Sequence, residues 1–296
     1  MIERRTPGRI VFNSFNYTLM IVLSISFFIP LWHVIAASLS DPRSLMAHSG
    51  LILYPLGKAT VEGYRLVLSD PSILTGYANT LIYVAATTVL GTVLTITAGF
   101  VISRQNMKLK VPITAFILFT MMFSGGLIPT YMVVKWLGMT GHRASIIIPG
   151  VINAFFIIIM KAAFEQLPGS YEESAKLDGA GPIAILVKIL VPLVKSTIAV
   201  VIMFTAVLQW NSWFPASIYI STNRELWPLQ LVMREILVQN DTSKIISGSV
   251  ANDAADLVKN LVKYCVVVVG TLPILCVYPF AQKYFVQGIQ LGGVKG

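Results

Sequence analysis

The residues of this chain that could take part in chemistry fall into two groups. The first is a compact charged stretch, "EESAKLDGAGPIAILVKILVP", Glu172 to Pro192. It lies between the apolar runs "VINAFFIIIM" and "TIAVVIMFTAVL". Carboxylates at the start of a short helix suit ion pairing with a basic partner, because the helix dipole favours negative charge there. The second group is made of polar and aromatic residues inside apolar runs: Asn79, Tyr83, Asn153, Gln209, Trp210 and Asn211. Amides, a phenol and an indole suit hydrogen bonding and ring stacking against a hydroxylated solute. The structural alternative for each is a hydrogen bond between helices, worth about 0.6 kcal/mol in a membrane. Motifs of catalysis are missing. The chain has no G-x-x-x-x-G-K-[ST] phosphate loop, no H-E-x-x-H and no G-x-S-x-G. His33, His48 and His142 are scattered, and Cys265 and Cys276 share one apolar run. That pattern suggests neither a disulfide framework nor a metal site.

The elements that must position these residues follow from composition. Of 296 residues, 55% are hydrophobic and 12% charged, where a soluble domain carries about a quarter charged residues. No Asp, Glu, Lys or Arg occurs in Tyr17–Leu39, Gly76–Ser103, Val111–Val134, Ala144–Met160, Ser196–Asn223 or Tyr264–Gln282. A helix needs about 20 apolar residues to cross a bilayer core. These runs, separated by charged loops, predict an all-α membrane protein: one transmembrane domain over 1–296 with a span in each run. The first run starts too late and extends too far for a cleaved signal peptide, so a retained span is expected. "SGGLIPTY" and "IIIPGVINAFF" put glycine and proline at membrane depth. There the freed backbone groups need neighbouring helices, which predicts a packed bundle.

An even number of spans puts both termini on one side. That side carries Arg4, Arg5, Arg9, Arg104, Lys108, Lys110, Lys161, Lys176, Lys188, Lys195, Lys283 and Lys295. The positive-inside rule makes it cytoplasmic, and Glu172–Pro192 with it. A net charge of +9 then serves orientation and lipid headgroups, not nucleic acid. Because the runs hold no Asp, Glu, Lys or Arg, self-contained ion coupling is disfavoured. A channel, or a transporter driven by another subunit, fits.

The stretch 170–192 reads as two short helices around "DGAG". Gly179 is expected at positive φ, and Pro182 opens the second helix, where proline is tolerated. Exposed Ala175, Leu177, Ala180, Ile183, Ile185 and Leu186, rimmed by charge, would mark a partner site. The alternative is an ordinary loop packed under its own bundle. On the other side, Ser40–Thr75 is expected to fold on the membrane surface. The loop 224–263 exceeds the about 12–15 residues of an ordinary connection. Its first half, "ELWPLQLVMREIL", places Leu226, Leu229, Val232 and Met233 on one face, as in an amphipathic surface helix. Its second half, "NDTSKIISGSVANDAAD", is expected to be mobile and to reach a docked partner.

The stretch also resembles the EAA motif of ABC-importer permease subunits. Glu173, Ala175, Asp178, Gly179, Ala180, Ile189 and Pro192 match it, and Ser174 stands for the first alanine. "QWNSWFPASIYI" and "YFVQGIQLGGVKG" are similar to the oligosaccharide-uptake branch of these permeases. "SLSDPRSL", "EGYRLVLSDPSILTGYANT" and "ELWPLQLVMREIL" resemble the LplC/YtcP group of MalG-like permeases. The resemblance implies a type I importer permease with cytoplasmic termini in the cytoplasmic membrane of a Gram-positive bacterium, transporting an oligosaccharide. It implies a second homologous permease, two copies of a cytoplasmic ATPase that hold ATP and Mg, and an extracellular solute-binding protein. No cofactor and no catalysis are implied for this chain. Glu172, Glu173 and the matching residues would couple to the ATPase. Asn240, Asp241, Ser247, Gly248 and Asn252 of the outside loop would contact the binding protein. The alternatives are a permease for a peptide or polyol, a stand-alone channel or facilitator and, third, a membrane enzyme.

Overall fold

The structure, a computed structural model, describes residues 7–238 and 252–293. Every regular element among them is helical. In chain order these are α1 (Pro7–Ser38), α2 (Pro42–Ala47), α3 (Glu62–Ser69), α4 (Pro71–Ser103), α5 (Lys110–Met122), α6 (Leu127–Trp136), α7 (Ala144–Val151) and α8 (Ala154–Glu165). Then follow α9 (Ser170–Leu177), α10 (Pro182–Leu193), α11 (Lys195–Trp210), α12 (Phe214–Tyr219), α13 (Leu229–Val238) and α14 (Asn252–Gly293). The second half of the outside loop, with Asn240, Asp241, Ser247 and Gly248, lies outside the described residues, and Asn252 opens α14.

Three helical stretches are each long and apolar enough to cross a membrane: Pro7–Ser38, Pro71–Ser103 and Val258–Val277. Three bent pairs bring the number to 6 if each pair counts as one span. The run Val111–Val134 is such a pair: α5 and α6 meet at 115°. Gly126, at φ +83, makes the corner, a conformation that L side chains rarely adopt. The α7–α8 pair bends by 40° after Pro149 and Gly150, and Asn153 restarts the helix by accepting a hydrogen bond from the Phe155 N–H at 2.9 Å. Between α10 and α11 the bend is 84°. Here Pro192 has no N–H to donate. The turn before it widens to a π-helix over Ile185–Leu190, with the Val191 N–H bonded to the Leu186 carbonyl. The run Ser196–Asn223 is not one helix either. α11 stops at Trp210, and α12 begins beside Pro215.

The chain forms two compact units. In the first, residues 1–71 and 235–271, the segment after α1 is folded locally. Asp41 caps α2 by accepting from the Ser44 N–H at 3.1 Å, and Pro42 takes the first helical position. The end of α1 is tied down by the Cys265 thiol on the Ser38 carbonyl and by Tyr64 on the Ser38 hydroxyl at 2.6 Å. The Ile52 N–H donates to His33 Nδ1 at 2.9 Å. Elsewhere α1 is apolar and bare, and its buried residues are only Ala36, Ala37 and Ser38.

The second unit, residues 72–234 and 272–296, is organised on α4. Gly91 and Gly99 let other backbones come close. A Cβ at Gly91 would sit 2.6 Å from the Val151 carbonyl oxygen at the α7–α8 break. One at Gly99 would sit 2.7 Å from Met160 of α8. Around the far end of α8, Phe156, Met160 and Phe164 form a core with Ile185, Leu190 and Val201. A second core joins Tyr83, Val134, Ile146, Ala216, Tyr219 and Ile220.

The Gly91 contact is with backbone, so the neighbour cannot swing aside. Gly91→Ala is expected to cost about 1–3 kcal/mol, the range for overpacking. It should lower the unfolding midpoint of the purified protein in detergent. Gly125→Ala meets only Pro129 Cβ, at an ordinary 3.7 Å, and should change the midpoint little.

Candidate functional site

The hairpin 170–192 is built by its turn. α9 ends at Leu177, and Gly179 takes φ +79. The Gly179 N–H donates to the Lys176 carbonyl at 3.0 Å and the Ala180 N–H to the Ala175 carbonyl at 2.9 Å. That pair of bonds is the Schellman closure of a helix, which favours glycine at this position. Gly181 is extended, and Pro182 opens α10. Nothing lies within 4 Å of the place a Gly179 Cβ would take. The requirement at Gly179 is therefore one of backbone conformation, not of space.

The turn separates two faces. Ala175 and Ile185 are buried against the Phe164 core, and Ala180 and Leu186 are half-buried against it. Helical spacing turns these four inward, so only part of the apolar surface expected from the sequence is free. Leu177 is 90% exposed, Ile183 79% and Val187 57%. Glu173 and Asp178 are exposed beside them. Ser170, Tyr171, Ser174, Asp178 and Ile189 line a shallow groove of about 400 Å³ on the same hairpin. Pro192 is exposed at the exit.

Glu172 is differently placed. It is half-buried and ion-paired with Arg104 at the end of α4, and with Lys176 at 2.9 Å. Arg104 is held on every side: its guanidinium lies 4.8 Å from the Phe100 ring centre, and it donates to the Phe100 carbonyl and the Ser103 hydroxyl. Burial pushes the Glu172 carboxyl up, but the hydrogen bond from Lys176 and the charge and hydrogen bond of Arg104 outweigh it. The net shift is below the ordinary 4.5. A lowered carboxylate pKa means the pair is intact above the usual glutamate range and is lost only as pH falls through the lowered value. Beside it, Glu165 holds Lys110 at 2.7 Å and Lys161 at 2.8 Å. Arg104, Lys110, Glu165, Glu172 and Lys176 line a cavity of about 780 Å³ with Gln105 and Asn106.

The polar residues inside the apolar runs do not converge. Asn79 is buried. It donates to the carbonyls of Glu225 and Trp227 at 2.7 and 3.1 Å and accepts from Arg143 at 2.8 Å. The Tyr83 hydroxyl donates to the Leu226 carbonyl at 2.7 Å. These two side chains, with Thr80 accepting from the Leu229 N–H, fasten the segment 225–229 to α4. Asn153 caps α8, and Asn211 donates to the Val207 carbonyl at 2.9 Å. Trp210 is buried with its ring 6.1 Å from that of Tyr77. Gln209 is half-buried, its side-chain oxygen 3.5 Å from the Cβ position of Gly150. Arg104 was legible in the sequence only as a charge that orients the chain, and Arg143 carried no expectation. No spacing rule links residues 68 and 64 positions apart.

The model of the family described as "Binding-protein-dependent transport system inner membrane component" matches residues 91–291, which include the hairpin. The chain belongs to that family. It is 36% identical over 295 residues to the polygalacturonan/rhamnogalacturonan transport system permease protein YtcP of Bacillus subtilis, covering 97% of this chain and 99% of that one. It is 35% identical to protein LplC of the same organism, over 90% of this chain and 89% of LplC. Its fold matches a crystal structure of a bacterial ABC transporter involved in import of the acidic polysaccharide alginate. That match has a TM-score of 0.85 and 26% identity, covering 96% of this chain and 99% of the other.

The turn gives a test. Gly179→Val should cost about 1–2 kcal/mol, the penalty of a left-handed conformation, and should reduce solute uptake by membranes carrying the whole transport system. Gly179→Asn, which tolerates positive φ, should retain most of it. Equal loss in both would mean the turn conformation is not what matters.

Proposed function

We propose that this chain is one permease subunit of an ATP-driven importer for oligosaccharides, and that the 170–192 hairpin is where a cytoplasmic ATPase docks. The observation that carries this is the outward set of Leu177, Ile183 and Val187 beside Glu173, on a hairpin fixed from behind by Ala175 and Ile185. Fully burying one such side chain is worth about 1.5–3 kcal/mol. A cleft on an ATPase would supply that burial and basic partners for Glu173. Six spans with cytoplasmic termini would put the hairpin on the ATPase side. A second, homologous permease would complete the pathway, and the bare apolar faces of α1 are available to it or to lipid. ATP and Mg would be held by the ATPase pair, with no cofactor and no catalysis in this chain. An extracellular solute-binding protein would deliver substrate to the opposite face, through the loop 224–263. Asn240, Asp241, Ser247, Gly248 and Asn252 are its proposed contacts there. Asn153, Gln209 and Asn211 are the proposed pathway residues.

The mechanism is a shift between two states. A ligand moves such an equilibrium only by its differential affinity. ATP draws the two ATPases together, the docked hairpins move with them, and the outward-facing state is favoured. Loaded binding protein favours the same state from outside. Hydrolysis releases the ATPases and returns the pathway inward. The substrate class is supported by the relatives' names: polygalacturonan/rhamnogalacturonan for one, arabinooligosaccharides for another and lactose for a third. The membrane is that of a bacterium, and a Gram-positive one agrees with the Bacillus relatives.

Leu177→Asp combined with Ile183→Asp puts charge where an apolar cleft is expected. It should strip the ATPase from the purified complex and abolish ATP-dependent uptake, while membrane insertion stays at the native level. Uptake that persists with the ATPase gone would identify a facilitator.

A further inference from the structure

We infer that Glu172 is not a docking carboxylate. It is a positioning residue that clamps the hairpin to α4, so that a push on the hairpin is delivered along α4 to the segment 225–229 at its other end. This inference rests on the docking role proposed for the hairpin. Glu172 and Glu173 are neighbours of like charge, and sequence alone gives them one role. The structure separates them: Glu173 is exposed, whereas Glu172 is half-buried and ion-paired with Arg104 and Lys176. A carboxylate held by two cations of its own chain has little left to offer a third on another subunit.

The other end of the clamp is built as firmly. The Arg104 guanidinium lies over Phe100, and Phe100 meets Phe164 edge-on at 6.0 Å between ring centres. Phe164 belongs to the core that also seats Ala175 of α9. Hairpin and α4 terminus are thus joined by an ion pair and by a shared aromatic contact. From Arg104 the path is a single helix. α4 runs unbroken over 33 residues, a length of about 50 Å. α5–α6, α7–α8 and α10–α11 are each bent by 40° or more. A bent pair can absorb a displacement at its joint, and a continuous helix passes it on. At the far end of α4, Asn79, Thr80 and Tyr83 hold the backbone of Glu225, Leu226, Trp227 and Leu229. The same rod that receives the hairpin therefore carries the outer segment, through one charged clamp below and a set of neutral hydrogen bonds above.

The test uses the whole complex, purified through a tag on the ATPase so that only docked complexes are assayed. The reporter is Thr222→Cys, at an exposed position three residues before the outer segment, with the exposed Cys276 replaced by alanine and the buried Cys265 left in place. The readout is its labelling rate by a membrane-impermeant maleimide, with and without ATP and vanadate. In the parent chain the nucleotide should change the rate by about threefold or more if it shifts the population between two states of differing exposure. Glu172→Gln should keep the ATPase bound and hydrolysing and should remove that change. Arg104→Gln should do the same, and the double variant should lose no more than either single one, as partners in one interaction do. Retention of the response in Glu172→Gln, or losses that multiply in the double variant, would overturn the clamp. Loss of the ATPase from Glu172→Gln would overturn it too, by making Glu172 a docking residue. A parent complex that holds its ATPase but shows no nucleotide response would overturn transmission along α4 and leave the docking role standing. Failure of the parent chain to hold any ATPase would remove the docking role, and the clamp with it.

Discussion

Backbone-to-backbone approach along α4 is the constraint on which the rest of the second unit depends. A helix cut at membrane depth exposes N–H and C=O groups that lipid cannot satisfy. This chain breaks three of its apolar runs, at Phe123–Gly126, at Ile152–Asn153 and at Asn211–Trp213, and bends again at Val194 on leaving the hairpin. The second cut is covered by α4 itself, because Gly91 has no side chain to keep the Val151 carbonyl away. Such Cα–H to oxygen approaches are individually weak, but they bring helices close enough for dispersion along their whole length. The first cut is bridged by a glycine corner, and the bend at Val194 by a π-helical turn that makes room for Pro192. Within the second unit, one unbroken helix beside jointed ones is the consequence.

That arrangement determines where stiffness lies. The hairpin is stiff because its turn is closed by two backbone bonds and its inner face is a core. The link from hairpin to α11 is a joint, bent by 84° beside the π-helix, and π-bulges are frequent at functional positions in helices. The link from hairpin to α4 is a half-buried ion pair reinforced by the guanidinium over Phe100 and the edge-on contact of Phe100 with Phe164. Partial burial matters here, since fully exposed pairs are worth little. A hairpin hinged on one side and clamped on the other is suited to convert a push into a directed displacement.

Much of the hairpin was legible in the sequence. "DGAG" before Pro182 announces a sharp turn between two short helices, and Leu177 and Ile183 are where the exposed surface was expected. The inward faces of Ala175 and Ile185 were not anticipated, because the core they meet comes from Phe164 and Met160, several residues before the hairpin and in another helix. The apolar runs located the membrane-associated segments but not their joints. Hydrophobicity is blind to a 115° corner, and "SGGLIP" announces only that a break is tolerable. Asn79 and Tyr83 illustrate a different limit. A polar side chain in an apolar run serves a solute or a neighbouring backbone equally well until the neighbour is known, and here each finds the carbonyls of 225–227. The ion pair of Arg104 with Glu172 spans 68 positions and has no local signature.

The central claim is that the outward face of the hairpin is an ATPase-docking surface. A photo-crosslinking amino acid at position 177, in the complex assembled in membranes and analysed by peptide mass spectrometry, tests it most directly. The account predicts adducts at 177 with peptides of the ABC ATPase, and none with that protein from position 116, where Phe116 is exposed on an apolar helix. Adducts at 177 only with lipid or with this chain itself would contradict it.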